Sequence, residues 1–313
     1  MDLCGNAPDR RHGLEMGVLI RQFLRAALCA IVVAAGCAEI EPLPGEFDAV
    51  NRDADVGLPG DATTTGGDAV GGSATGTWAM ATDWSTCVTI GESQFELRTY
   101  KLLHIQVEQV GYVWKEQRTL CSLINTALLG QVTVFPPKVI QSFAVQKILS
   151  TVTGHGPGHS YAGGLDVQTL GVKLTEPATE AMPSSPADPR VVDSDGDGKP
   201  GGTLLVGQLC QIYAANRALS QASGSWVKPD RIEGGAIHDT TQVALASTSS
   251  FCETAFPTLP NHPHHAFVLQ RVDGSGLNLD SNGDGTVSCE EIIAQQTQIV
   301  TWRQADAARC PVP

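Results

Sequence analysis

Residues 105–120, IQVEQVGYVWKEQRTL, recur ninety-nine positions later as residues 204–219, LLVGQLCQIYAANRAL. The match has no gap. Val107 falls on Val206, Gln109 on Gln208, Val113 on Ile212, Trp114 on Tyr213, Arg118 on Arg217 and Leu120 on Leu219. A second match comes after each copy, VFPPKV at 134–139 and VKPDRI at 227–232, with a proline in the middle of both. Two related stretches with unequal loops read as an internal duplication. Such a chain is expected to pair two similar halves.

The repeat unit is built from strands. In residues 103–108, Leu-His-Ile-Gln-Val-Glu, apolar and polar side chains alternate as on a strand with one wet face. Similar signals recur at 132–135, 165–174, 204–213, 232–245 and 267–272, separated by Gly, Pro and Asp clusters. With 33 Gly, 18 Pro and only 5% aromatics, the composition suits short strands joined by turns. Strands without intervening helices predict a mostly β fold, an antiparallel barrel or sandwich. Duplication favours closure, because two half-sheets can seal each other's edges. The expected domain spans 77–273, and residues 274–313 are left for a loop and a short C-terminal helix over 290–308. At the head of the first strand, Gly76-Thr-Trp78 resembles the G-x-W opening of lipocalins and avidins. That resemblance implies a barrel and, on the lipocalin side, a carrier of a small apolar ligand.

The amino end reads as an address. Arg21 and Arg25 lead into an apolar run at 26–35 that ends in Gly36-Cys37. Ten apolar residues are too few to span a bilayer but fit a signal peptide, here residues 1–36. Met16 as the true start would give that signal an ordinary length. Small residues directly before a cysteine resemble the lipobox of bacterial lipoproteins. The resemblance implies that Cys37 is lipidated and becomes the first mature residue, with Ala38 directing the protein to the outer membrane. A cleaved secretory signal without lipid is the rival reading. Residues 38–76 carry eight carboxylates and one Arg with few large apolar groups, so 37–76 is expected to be a disordered acidic tether. The net charge of −13 argues against nucleic acid, whose binding needs clustered cations. The expected partners are a membrane, through the anchor, and a small ligand or surface protein.

Beyond Cys4, Cys29 and Cys37 stand six cysteines: Cys87, Cys121, Cys210, Cys252, Cys289 and Cys310. An even number in an exported domain, with no C-x-x-C pair, predicts three disulfides. Cys87–Cys121 and Cys210–Cys252 would each lie within one half of the duplication.

Asp280-Ser-Asn282-Gly-Asp284-Gly285-Thr286-Val-Ser288-Cys-Glu-Glu291 resembles the EF-hand calcium loop. The resemblance implies ligands from Asp280, Asn282, Asp284, the Thr286 carbonyl, Ser288 directly or through water, and a bidentate Glu291. Gly274 and Gly276 disfavour an entering helix, so no EF-hand opening motion is expected. Asp193, Asp195 and Asp197 repeat the first half of the pattern, but Leu204 occupies the twelfth position. That stretch is either a second calcium site or a bare acidic turn, with the crowding of three carboxylates favouring a cation. Calcium is the expected cofactor.

Other chemistries have less behind them. Residues 158–164, GHSYAGG, place one residue too many after Ser160 for a G-x-S-x-G nucleophile elbow, and no strand–turn–helix context surrounds them. His155, His159, His262, His264 and His265 could hold a transition metal if they met in space, although Pro157 and Pro263 deny helical spacing. Arg118 and Arg217 are expected to form salt bridges or cap a barrel end. The reading is a calcium-binding envelope lipoprotein with a structural or binding role and no enzymatic activity. A lipocalin-type carrier is the alternative, which a roomy apolar interior would favour, and a serine hydrolase stands behind both.

Overall fold

A computed structural model describes residues 73–208, 210–252, 258–274 and 276–310. The expected signal peptide, Cys37 and nearly all of the expected tether lie outside them. The strands are β1 (Gly76–Ile90), β2 (Ser93–Val110), β3 (Val113–Asn125), β4 (Thr133–Val134), β5 (Gln146–Val152), β6 (Ser160–Ala162), β7 (Asp166–Leu170), β8 (Gly202–Val206), β9 (Cys210–Lys228), β10 (Arg231–Ser247), β11 (Thr258–Pro260) and β12 (Ala266–Arg271). Two short helices accompany them, α1 (Pro137–Ser142) and α2 (Cys289–Ala294).

All strand pairs are antiparallel, and the sheet closes on itself as a barrel. A meander β1–β2–β3 forms one side and the long hairpin β9–β10 the other. Strand β12 joins β10 to β1. Between β3 and β9 the wall is pieced together from short strands: β4 and β8 near one end, β5 and β6 near the other, and β7 along β9. Closure removes the free edges that two open half-sheets would present.

The alternation read at 103–108 sorts these side chains as expected. Leu103, Ile105 and Val107 are buried, while Gln106 and Glu108 are exposed. One end of the interior is filled by Trp78, Trp114 and Trp226, whose ring centroids lie 5.2–5.8 Å apart. Trp78, from the G-x-W stretch, donates its indole N–H to the Ala74 carbonyl at 2.8 Å. Burying one such side chain is worth roughly 4–6 kcal/mol of transfer free energy, before entropy is counted. The other end is packed with Val88, Leu97, Leu128, Leu204, Val206 and Ile212.

Both copies of the repeat lie on hairpins, β2–β3 and β8–β9. Their turns place Gly111 (φ 61°) and Gly207 (φ 53°) in the left-handed region. These glycines are ninety-six residues apart, three fewer than the spacing of the sequence match. An odd shift on a period-two strand exchanges faces. Trp114 and Arg118 accordingly point into the barrel, whereas Arg217 points outward and donates to the Glu180 carbonyl at 2.7 Å.

Two segments cover the outside. Residues 171–201 lay Val172, Leu174, Met182 and Val191 over Ala215, Val243 and Leu245. Residues 272–303 form a strap that seats Leu279, Val287, Ile292 and Ile299 on Ala79, Ala81, Leu102 and Cys121. The strap explains why β1 is buried on both faces and shows no alternation.

Two expectations change here. The exiting helix predicted over 290–308 is only the six residues of α2, followed by a 3-10 turn at Gln296–Gln298. Contacts to the barrel compete for its continuation: Arg231 takes the Ile299 carbonyl at 2.9 Å, Trp302 stacks on Tyr100, and the Tyr100 hydroxyl donates to the Arg303 carbonyl. The second correction concerns the disulfides. Cys210–Cys252 pairs as expected, but Cys87 joins Cys310 and Cys121 joins Cys289, with Cα separations of 6.6, 5.5 and 5.1 Å. Cys87 and Cys121 lie on β1 and β3, with β2 between them. Two strand spacings are about 10 Å, beyond the reach of a disulfide.

Two candidate cation loops outside a filled barrel

The Asp-rich stretches fold alike. In the first, Asp193 Oδ1 accepts from the backbone N–H of Gly196 (2.8 Å) and Asp197 (3.2 Å), and Oδ2 from Gly198 (2.8 Å). In the second, Asp280 Oδ1 accepts from Gly283 (2.8 Å) and Asp284 (3.2 Å), and Oδ2 from Gly285 (2.9 Å). The fifth residue closes each turn onto the seventh, Asp197 accepting from Lys199 N–H and Asp284 from Thr286 N–H. Sequence dictates this shape. Positions four and six need positive φ, which Gly196, Gly198, Gly283 and Gly285 supply at 70–86°. These donors favour ionised carboxylates: Asp193 is held below its usual pKa mainly by Gly198 N–H, and Asp284 mainly by the Thr286 hydroxyl.

Past their seventh residues the two loops diverge. After the first, the chain enters β8, and the Thr203 hydroxyl donates to Asp197 Oδ2 at 2.9 Å. Asp193, Asp195 and Asp197 each place an oxygen within 4.8 Å of the others. Among the described residues this is the one group of three or more acidic, His or Cys side chains gathered so closely; Asp280, Asp284 and Glu291 stand farther apart. Glu291 serves its own loop. Its Oε1 accepts from Ser281 N–H (2.7 Å), Ser281 Oγ (2.9 Å) and Asn282 N–H (3.2 Å), and its Oε2 from Ser288 N–H (2.9 Å). The Ser288 N–H leads these donors in bringing the carboxyl pKa down to about 2. Ser288 also caps α2, completing a capping box with Glu291.

Inside the barrel lies a charged group of which sequence reasoning anticipated only that Arg118 forms salt bridges. Arg118 pairs with Glu116 at 2.6 Å and donates to the Tyr161 hydroxyl at 3.0 Å, which donates to Glu116 Oε1 at 3.0 Å. Lys101 Nζ meets Asp166 at 3.3 Å, and Arg118 reaches the same carboxylate at 3.6 Å. Burial opposes the Arg118 charge, yet Glu116, Tyr161 and Asp166 outweigh it and raise its pKa. Lys101 is shifted down, chiefly by burial. A signal was present: Glu116 and Arg118 share a strand face with Trp114 and Leu120, and Lys101 precedes two leucines. Beside the cluster is a cavity of about 10 Å³ bounded by Thr82, Trp84, Lys101, Arg118 and Asp166, room for one water at most.

Of the remaining candidates, His262 and His265 come together, 4.9 Å between ring centroids, but among the described residues no three of the histidines gather closely enough to hold a metal. Ser160 is exposed on β6, its hydroxyl 3.2 Å from Thr153 Oγ1. His155 lies against Trp226, 4.4 Å between ring centroids, at one barrel end. His265 sets its two ring nitrogens 2.8 Å from the Ser85 carbonyl and 3.2 Å from the Ala236 carbonyl. No protein-family model matches this chain, and no similar curated protein or solved structure was found.

Proposed function

We propose that the protein is a calcium-binding β-barrel of the cell envelope, held there by lipid on Cys37, with a structural or binding role. The observation that carries the calcium reading is the common frame of the two loops. Each turns its backbone N–H groups onto the first Asp, and the Asp193 group draws three carboxylates within 4.8 Å, with Asp195 Oδ1 buried and without a hydrogen bond. Oxygen donors without sulfur or imidazole suit a hard cation, and a flexible set of carboxylates, carbonyls and hydroxyls suits calcium over magnesium. The filled interior supports this reading over the carrier. Three tryptophans fill one end of the interior, and Val88, Leu97, Leu204 and Ile212 pack the other.

An ion that binds only the folded state adds RT ln(1 + [L]/Kd), about 2.7 kcal/mol at one hundred times Kd. Melting temperature should therefore rise in millimolar calcium and return with chelator. The 280–291 loop offers more ligands, so Glu291→Gln should remove more of the rise than Asp195→Asn. A melting curve indifferent to calcium would sink the reading.

The anchor has its own experiment. A labelled fatty acid should be incorporated into the full chain and lost with Cys37→Ala. Equal labelling of both proteins, or of neither, removes the lipid from the proposal.

A further inference from the structure

We infer that the Cys121–Cys289 disulfide and the 280–291 loop form one coupled device. The disulfide raises the loop's calcium affinity, and bound calcium protects that disulfide, in preference to the other two, from thiol reduction. The inference rests on the calcium reading above and specifies how that site is regulated.

The geometry begins with position. Cys289 is the tenth residue of the loop and the first of α2, next to Ser288 and two residues before Glu291. Its disulfide, with Cα atoms 5.1 Å apart, fastens the loop to the outer face of β3. On either side the strap holds by packing: Leu279, Val287 and Ile292 are buried against Ala79, Ala81 and Leu102. Within the strap, Leu279 N–H donates to the Val272 carbonyl (2.9 Å) and Gln295 Nε2 to the Leu279 carbonyl (2.8 Å), and farther along Arg231 donates to the Ile299 carbonyl (2.9 Å) and Arg303 to the His264 carbonyl (3.1 Å). The covalent pin is the disulfide that crosses to the barrel from within the loop itself, and it adds to the packing of Val287 and Ile292 in fixing the carboxyl-terminal half of the ligand set. Without it, ion binding would have to order the loop and α2 together, and that ordering entropy subtracts from affinity.

Linkage makes the effect reciprocal. If the cross-link tightens calcium binding by some factor, calcium disfavours loss of the cross-link by the same factor. Access selects this bond over the others. Cys289 is only partly buried, while Cys87 and Cys310 are 2% and 5% exposed and Cys210 and Cys252 are 7% and 0%. A reducing thiolate reaches Cys289 Sγ first, forms a mixed disulfide there and expels Cys121 as thiolate. The second thiolate of a dithiol then displaces Cys289, leaving two cysteine thiols and an oxidised, cyclic reductant. An ion gripping the loop hinders both the approach to Cys289 and the subsequent loosening.

The test tracks reduction of the native protein by dithiothreitol, with mass spectrometry of alkylated peptides reporting each cysteine pair. Calorimetric calcium titrations of the oxidised protein and of the Cys121→Ser/Cys289→Ser variant accompany it. The expected result is reduction of Cys121–Cys289 slowed about five-fold or more by calcium relative to chelator, with Cys210–Cys252 unaffected, and, in an equilibrated dithiothreitol redox buffer, a calcium-induced shift of that pair towards the disulfide by the same factor as the loss of affinity in the variant. Calcium binding to the native protein with no change in the Cys121–Cys289 rate overturns the coupling and leaves the calcium reading standing. No binding to the native protein overturns both. The reduction arm needs no variant, so it decides even if the serine protein fails to fold.

Discussion

Arg118→Ala should lower the unfolding free energy by about 3–5 kcal/mol, read as a fall in the urea midpoint at an unchanged m-value. Arg118 is 3% exposed, and its guanidinium is the common partner of Glu116, Tyr161 and Asp166. Deleting it leaves Glu116, 1% exposed, with Tyr161 as its remaining partner within this cluster, and leaves Asp166 to Lys101 alone. The loss comes from stranding a charge in a dry interior; it does not measure the worth of the pair. Removing both partners with shape retained, as in Glu116→Gln/Arg118→Met, should therefore recover most of the stability. A single variant within 1 kcal/mol of the wild type, or a double variant worse than the single, would show that the cluster does not carry the barrel in this way.

That cluster marks where sequence reading stops. The strand faces at Leu103, Ile105 and Val107 were legible because burial on one side leaves a period of two. Strand β1 was not, because the strap buries its outer face and erases the period. The strap's position is tertiary information held by Leu279, Val287, Ile292 and the Cys121–Cys289 disulfide, none adjacent to β1 in sequence, and by Cys87–Cys310, which ties β1 to a residue more than two hundred positions away. Closure was argued from the repeat, yet the matched residues Trp114 and Tyr213 do not occupy like places. A slip of three residues between the turns at Gly111 and Gly207 costs the sequence match nothing and turns each side chain over. The candidate loops were the most legible feature. An Asp followed by glycines at its fourth and sixth positions has few ways to satisfy its N–H groups other than on that Asp, so local chemistry suffices. Which acids then converge depends on the chain beyond: Asp197 is steadied by Thr203, whereas Glu291 is occupied by Ser281, Asn282 and Ser288.

Acid should loosen the barrel at the flank where β10 leaves β12. Strand β10 pairs with β12 only from Arg231 to Gly234, and beyond that a 3-10 turn at His262–His264 lies beside it. Two buried histidines stand there. His238 stacks on Trp84, ring centroids 3.5 Å apart and nearly parallel, with its Nε2 2.8 Å from Thr240 Oγ1. Burial, then His265 and Lys101, pushes its pKa well below the ordinary range. His265 faces two carbonyls, an arrangement that suits an imidazolium. Burial still prevails, helped by nearby His262 and Arg98, and its pKa falls to about 4. In the unfolded chain both titrate near 6.5. Between pH 6.5 and 4 the unfolded state therefore binds more protons than the folded one, and stability falls as pH is lowered through that window. A depression from 6.5 to about 4 corresponds to about 3 kcal/mol at His265 once pH reaches 4. Glu291 acts in the same direction but lower down. With its folded pKa at about 2, its contribution is full above the unfolded value near 4.5 and fades only below it. Urea midpoints measured from pH 7.5 to 4.5 thus isolate the histidines. They should fall steadily in the wild type, and His265→Gln, whose amide reaches the Nε2 position and keeps a donor for the Ser85 carbonyl, should flatten the descent. A wild-type midpoint that stays level from pH 7 to 5 would show that these rings do not hold the flank in their neutral form.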